Sequence, residues 1–334
     1  MYPLRFDPIY QYRLWGGRRL AHWLDKPLPG DGPIGEAWLL SDRDDHASKV
    51  ANGPLEGSTI QQLLTQAPES IYGKLAGRFP RFPLLLKFLD ATQKLSVQVH
   101  PNDSQTDEIP PGESGKTESW VVLQATPDSR IFAGLQPHTT PADLEKAVQN
   151  GTVPEHLSSF TPKVGDAILI TAGTVHTLNN VVVFETQQNS DVTFRLYDWN
   201  HTDPKTGKPR PLQVQEAMAC VDFDQTKIIP TPPVIEQPPP TSRERLLNCD
   251  HFTIWRHVAE SRFSVGAVNI PRVLVIVSGE GTIEYSSGVE PVHRGNVFLL
   301  PAELGVCTVC PQAAMMVLEV ALPDGPTANP PAIS

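Results

Sequence analysis

The chain has 334 residues, 40% of them hydrophobic, which is long for one domain and sufficient for two with real cores. Its 34 prolines and 23 glycines point to many turns and short strands rather than long helices. The formal net charge is -10 with no dense Lys/Arg run, which argues against a nucleic-acid footprint yet leaves room for a phosphorylated small molecule, since that needs only a few local cations.

The N-terminus, Met1-Tyr2-Pro3-Leu4-Arg5-Phe6-Asp7-Pro8, has no apolar h-region, and no apolar run reaches the length of a membrane span. Four cysteines, Cys220, Cys249, Cys307 and Cys310, fit a reducing cytosol better than a disulfide scaffold. The expectation is a cytoplasmic protein without nucleic-acid or membrane partners. Cys307-Thr308-Val309-Cys310 lies in a strand-like run and lacks a second pair, so it reads as buried structure.

Residues 1–57 alternate short apolar runs with turn residues. Ile60, Leu63, Leu64, Ala67 and Ile71 follow helical spacing, which predicts a helix over 59–75 with Ser58 as its cap. Residues 82–89 form a nearly continuous apolar run that suits a strand buried on both sides. In Leu95-Ser96-Val97-Gln98-Val99-His100 the period is 2, so Ser96, Gln98 and His100 share one face. A polar loop over 101–116 follows, then strands over 118–123 and 129–133. Thr140-Pro141-Ala142-Asp143 starts a second helix, with Thr140 as cap, Pro141 in the first helical position and Asp143 completing a capping box. Strands over 167–171, 181–185 and 193–197 and a helix over 212–220 complete this part. Prolines 230, 232, 233 and 238–240 mark an extended, semi-rigid connection, and 246–322 again reads as all β. Strands outnumber helices without regular alternation, which favours paired β-sandwich or barrel units over a doubly wound sheet.

Gln98, His100, Glu118 and His176 stand out chemically. An open divalent-metal site needs about three protein ligands from imidazole and carboxylate. His100, Glu118 and His176 supply them, and the Gln98 amide oxygen is either a fourth ligand or a hydrogen-bonding neighbour of one.

Gly165, Thr171, Gly173, His176 and Asn180, at their spacing, resemble the second motif of the cupin superfamily, with Thr171 where proline is usual. The first cupin motif is altered, because Gln98 replaces its first histidine and Glu118 comes late. Gln98-Val99-His100-Pro101-Asn102-Asp103, Lys116-Thr117-Glu118-Ser119-Trp120, Gly173-Thr174-Val175-His176, Glu185-Thr186-Gln187-Gln188-Asn189-Ser190-Asp191, Arg195-Leu196-Tyr197-Asp198 and Trp15-Gly16-Gly17 together resemble the type I mannose-6-phosphate isomerase family in its shorter bacterial form. The resemblance covers residues 1–222.

It implies a mainly β chain of two cupin jelly-roll domains with a few added helices. The expected division is a catalytic domain over 1–228, a proline-rich linker over 229–243, and a degenerate second cupin without metal over 244–334. It further implies interconversion of mannose 6-phosphate and fructose 6-phosphate through an enediol(ate), with one Zn2+ per chain held by His100, Glu118, His176 and Gln98. Other divalent metals suit the same donors. Arg195 is the implied catalytic arginine, and Lys116, Glu185 and Trp15 are implied substrate contacts. The competing readings of these four are a strand-edge ion pair, a solvated loop lysine, supporting structure and a buried turn tryptophan. The base, the phosphate contacts and the oligomeric state stay open, a monomer being compatible. Two other readings are a metal-dependent cupin oxygenase on a small organic substrate and a non-catalytic sugar-binding cupin.

Overall fold

The computed structural model describes residues 1–323. Its first part carries strands β1 (Leu4–Phe6), β2 (Ile9–Gly17), β3 (Ile34–Leu40), β4 (Leu84–Ala91), β5 (Val97–Val99), β6 (Glu118–Leu135), β7 (Leu157–Phe160), β8 (Ala167–Ile170), β9 (His176–Gln188), β10 (Phe194–Tyr197), β11 (Thr202–Asp203) and β12 (Lys208–Pro209). Helices α1 (Leu20–Leu24), α2 (Ile60–Gln66), α3 (Pro68–Tyr72), α4 (Pro141–Asn150) and α5 (Val214–Cys220) lie between them. The second part carries β13 (Val234–Gln237), β14 (Ser242–Asn248), β15 (Thr253–Ala259), β16 (Phe263–Gly266), β17 (Arg272–Ser278), β18 (Glu280–Tyr285), β19 (Gly288–His293), β20 (Val297–Leu300), β21 (Val306–Pro311) and β22 (Met315–Ala321). The chain is mainly β, as expected, in curled antiparallel sheets of the jelly-roll kind.

One sheet runs β10-β5-β9-β4-β3-β2, and β6 joins it by pairing with β9 as well as with β7 and β8. A second runs β1-β20-β17-β22-β15-β14-β13 and faces a four-stranded sheet, β16-β21-β18-β19. The N-terminal strand β1 therefore completes the sheet built by the C-terminal half, with Leu4 opposite Leu299 and Phe6 opposite Val297. One apolar cluster unites Leu4, Phe88 and Phe184 with Val273, Val297 and Leu318. A chain ending before Pro230 loses that partner surface. It is expected to aggregate, because the apolar face left open is continuous. Size-exclusion of the shortened chain checks this, and a soluble, fully active product would show that the C-terminal half is dispensable.

Local chemistry accounts for where the elements depart from expectation. The helix expected over 59–75 is broken. Thr59, not Ser58, caps α2 in a reciprocal box with Gln62, and Pro68 takes the first turn of a separate α3. Proline cannot continue the hydrogen-bond ladder and restricts the residue before it. The cap at Thr140 forms as expected, with Asp143 completing the box. The strands expected over 118–123 and 129–133 are one strand, β6, irregular in register between Ala125 and Arg130. The proline-rich stretch is not uniformly extended linker, since β13 pairs with β14 within it.

Two features position the site. Strand β4 is buried along its whole length, as its apolar run required. Its alternation sends Leu84, Leu86 and Phe88 into the shared core and Lys87, Leu89 and Ala91 to the other face. Lys87 there stands in register with Trp38 on β3 and Glu185 on β9, and Glu185 with Trp120 on β6. The second feature is Asn180, which adopts φ 50° within β9. His176 and Glu185 are nine residues apart, so unbroken period-2 alternation puts them on opposite faces. The left-handed residue between them resets the alternation. Leu178 joins the same cluster as Val181 and Val183, and both His176 and Glu185 face one cavity.

Candidate metal centre and its cavity

His100, Glu118 and His176 are brought together from the end of β5, the start of β6 and the start of β9. All three are buried, and their ligand atoms lie within 4.8 Å of one another. His100 Nε2 is 3.3 Å from Glu118 Oε2, and His176 Nε2 is 3.3 Å from Glu118 Oε1. His176 Nδ1 donates to the Thr174 carbonyl at 2.8 Å, which leaves Nε2 with its lone pair. That lone pair faces a carboxylate oxygen that is buried and has no hydrogen bond. Two acceptors held at this distance away from water repel each other, and a cation between them reverses the sign. The donor set therefore fits a divalent metal.

The protonation states agree with this. Burial foremost, then the Lys116 charge, pushes His100 down to about 3, so it is a neutral imidazole. Burial likewise lowers His176. Burial works to raise Glu118, but the Lys116 charge foremost holds its carboxyl well below the usual range. Two neutral imidazoles and a carboxylate are the forms a metal requires. Gln98 stands in register with His176, and its amide nitrogen is 3.1 Å from His176 Nε2. The amide oxygen and nitrogen exchange places by a half-turn, so Gln98 offers either a ligand or a hydrogen bond.

A cavity of about 450 Å³ opens over this group. Trp15, Gln98, Lys116, Glu118, His176, Glu185 and Arg195, all singled out in the sequence, line it, and His100 joins them through Glu118. Lys116 is not a solvated loop lysine. It is buried, with Nζ 2.7 Å from Glu118 Oε2 and 3.1 Å from His100 Nε2. Glu185 accepts from Trp120 Nε1 at 2.9 Å and lies 3.4 Å from Lys87 Nζ. Burial first, and the Glu118 charge second, pushes Glu185 up to about 7. Arg195 does not form a strand-edge ion pair. Its Nη1 donates to the Pro211 carbonyl at 2.9 Å, and Asp198 is instead gripped by Arg210.

Sequence reading missed Lys87, Glu36, Arg13 and Arg210, which line the same cavity. Glu36 receives Arg13 Nε at 2.8 Å and Nη2 at 3.1 Å, and Trp38 Nε1 at 2.7 Å. Lys87 Nζ lies 3.9 Å from Glu36 and 3.8 Å from Asp191. A signal existed for two of them. Lys87 in Leu84-Leu85-Leu86-Lys87-Phe88-Leu89 and Glu36 in Ile34-Gly35-Glu36-Ala37-Trp38 are lone charges inside apolar strands. A charge there is buried and must be paired.

Residues 4–127 match the family model described as phosphomannose isomerase type I, catalytic domain. Mannose-6-phosphate isomerase ManA of Bacillus subtilis (strain 168) is 33% identical over 306 residues, 91% of this chain and 94% of that protein. A mannose-6-phosphate isomerase of Streptococcus mutans is 27% identical over 90% of this chain and 92% of its own. The crystal structure of the mannose 6-phosphate isomerase from Bacillus subtilis superposes with a TM-score of 0.87 at 26% identity, covering 96% of this chain and 99% of that one. The buried donor trio, the fold that assembles it and this near full-length likeness lead to one assignment: the chain belongs to the type I phosphomannose isomerase family.

Proposed function

We propose that the protein interconverts mannose 6-phosphate and fructose 6-phosphate by moving a proton between C1 and C2 through an enediol(ate). The observation that carries the reading is the buried His100–Glu118–His176 trio beside a cavity that Arg195 also lines, a guanidinium with no carboxylate partner among the described residues. Zinc suits two imidazoles and a carboxylate, with Gln98 as a further oxygen donor. Held by His100, Glu118 and His176, a divalent ion would supply the Lewis acidity that makes the C–H proton on the carbon beside the substrate's carbonyl easier to remove.

The chain's own groups divide the rest of the work. Lys116 keeps its proton, because burial acting against its charge is outweighed by Glu118 beside it together with Glu185 and Asp191, and its pKa lies above the ordinary value. It serves as a fixed donor to developing negative charge. Glu185, pushed up to about 7, is the carboxylate with the proton affinity a base needs near neutral pH. Trp120 and Lys87 hold it in place. Arg195 stands one strand from Gln98, in register with it, and supplies permanent positive charge to an anionic substrate. A redox-active oxygenase site draws support from no observation here. We also divide the chain for function at the proline-rich segment over 229–243, with the chemistry in 1–228 and a non-metal cupin in 244–334.

Arg195→Ala is expected to leave metal content unchanged and to lower kcat/KM for mannose 6-phosphate by about 100-fold or more. Metal analysis beside steady-state kinetics checks it, and unchanged turnover removes Arg195 from the mechanism. The activity itself is tested by turnover of mannose 6-phosphate before and after chelation, with zinc added back. Activity that vanishes and returns supports reaction and cofactor together. A folded, zinc-loaded protein without turnover overturns the substrate assignment.

A further inference from the structure

Trp15 reaches the cavity, and the residues that follow it make a different contact. Gly17 lies against the end of β4. A Cβ there would sit 2.1 Å from Thr92 Oγ1 and 2.7 Å from Asp90 Oδ2, so only glycine lets the chain descend this far. Two residues later Arg19 meets Asp90, a carboxylate with no exposure. Asp90 Oδ1 accepts from Arg19 Nε at 2.7 Å and from Thr92 Oγ1 at 2.8 Å. Asp90 Oδ2 accepts from the Arg19 backbone N–H at 2.7 Å. Both oxygens are engaged, and the plane of the guanidinium is fixed.

The rest of the fork points at β9. Arg19 Nη1 donates to Asn180 Oδ1 and Nη2 donates to the Val181 carbonyl, each at 3.3 Å. Asn180 is the left-handed residue at which the faces of β9 reset. Pairing with β4 stops beside it, at Ala91 opposite Val181, and the β6 register shifts around it, between Ala125 and Arg130. Asn180 itself has no ladder partner on either strand, so side-chain contacts fix its conformation. Its Nδ2 donates to Thr126 Oγ1 at 3.1 Å, its carbonyl accepts from Ser129 Oγ, and its Oδ1 accepts from Arg19. Of these partners Arg19 alone carries a charge, and it is the one anchored on a buried carboxylate.

His176 and Glu185 flank this point and line the cavity, whereas Arg19, Asp90 and Asn180 do not. A non-glycine residue in the left-handed region carries a steric penalty, which asparagine tolerates best when its side chain is held. A strand that relaxes there loses the phase between the two ends of β9.

We propose that Arg19, anchored on Asp90, is a positioning residue that holds Asn180 left-handed and so sets the phase of β9 between His176 and Glu185. This rests on the roles given above to His176 as metal ligand and Glu185 as base. Arg19 acts through the spacing of two groups on one strand, so its effect falls on turnover rather than on substrate binding.

The test uses the full, zinc-loaded chain. Arg19→Lys keeps a cation against buried Asp90 but has no second edge for Asn180 and Val181. Its kcat for mannose 6-phosphate is expected to fall about 5- to 30-fold, with KM changed less than about twofold and zinc content unaltered. Asn180→Ala removes the same contact and resists the left-handed conformation, so it should fall as far. Asn180→Gly also removes the contact but adopts that conformation freely. Arg19→Lys placed on the Asn180→Gly background should therefore lose less than about twofold further. Hydrogen exchange gives a readout free of turnover. Amides over 177–185 should exchange faster in Arg19→Lys, while those of β17 keep their wild-type protection.

Unchanged kcat in Arg19→Lys overturns the proposal, and so does a loss of equal size on the Asn180→Gly background. Exchange that quickens equally in β17 overturns it too, because that marks a general loss of stability. Should Arg19→Lys fail to fold, Asn180→Ala against Asn180→Gly decides, and equal turnover in those two overturns the proposal. Arg19-dependent exchange over 177–185 in a wild-type protein that does not isomerise mannose 6-phosphate defeats the activity reading and leaves the hold on Asn180 standing. Wild-type turnover with kcat and exchange indifferent to Arg19 does the reverse.

Discussion

His176→Ala is expected to lose metal and isomerase activity together. The imidazole is one of three donors, and its tautomer is set by the Thr174 carbonyl at 2.8 Å. Removing it leaves His100 and Glu118 with Lys116 still seated against both, so the remaining charges stay paired and the fold survives. Loss of groups that only support a metal ligand costs about 10- to 100-fold in metal affinity or activity. Loss of the ligand itself should exceed that, with kcat/KM down about 1,000-fold or more and metal falling well below one ion per chain after dialysis. Thermal unfolding of the metal-free forms should differ little by comparison. Gln98→Ala is the useful contrast, because an amide that hydrogen-bonds His176 without ligating belongs in the 10- to 100-fold class. Full activity in metal-depleted His176→Ala protein would exclude the site from the chemistry.

Much of this centre was legible because its residues are marked by neighbours. His176 follows Gly173, and His100 ends a strand of strict alternation. That His176 and Glu185 face one cavity was not legible from periodicity. It depends on Asn180, whose left-handed conformation inside β9 resets the strand's faces, and asparagine is among the few non-glycine residues that adopt it readily. Strand β6 contains Thr126, Pro127 and Asp128, which carry turn chemistry and have no partner on β9, while pairing with β9 holds on either side of them at Ala125 and Arg130. Lys87 and Glu36 are lone charges inside apolar strands, and their burial is what compelled pairing. The placement of β1 in the C-terminal sheet has no local signature, since three residues with apolar ends fit an edge of either sheet. Contacts of that separation are decided by shared core volume rather than by local pattern.

Glu36→Gln is expected to destabilise the protein by roughly 3 kcal/mol at neutral pH, with a pH dependence that identifies the cause. Glu36 is 7% exposed on a strand facing the cavity. Burial works to raise its pKa, but the Arg13 fork, the Lys87 charge and the Trp38 indole together bring it down to about 2 from an ordinary 4.5. A carboxylate whose folded pKa is depressed contributes stability above its unfolded value and loses it as pH falls through the folded one. The contribution is therefore full above about 4.5 and gone near 2. Glutamine keeps the shape and can accept from Trp38, but it leaves Arg13 and Lys87 facing no charge on that side. Removing one partner of a buried pair costs on the order of 3–5 kcal/mol, which agrees with the linkage figure. Denaturant unfolding of wild type and variant at a series of pH values measures the gap directly. It should be widest at pH 5 and above and close as pH falls from about 4.5 toward 2. A gap of constant size across that range would assign the loss to packing instead. Glu185 has the opposite sign, because its folded pKa of about 7 lies above 4.5, so its ionisation costs stability as pH rises through 7. In the variant, Lys87 has one carboxylate fewer to share and is freer to stabilise the Glu185 anion, which should bring that group's titration down in pH.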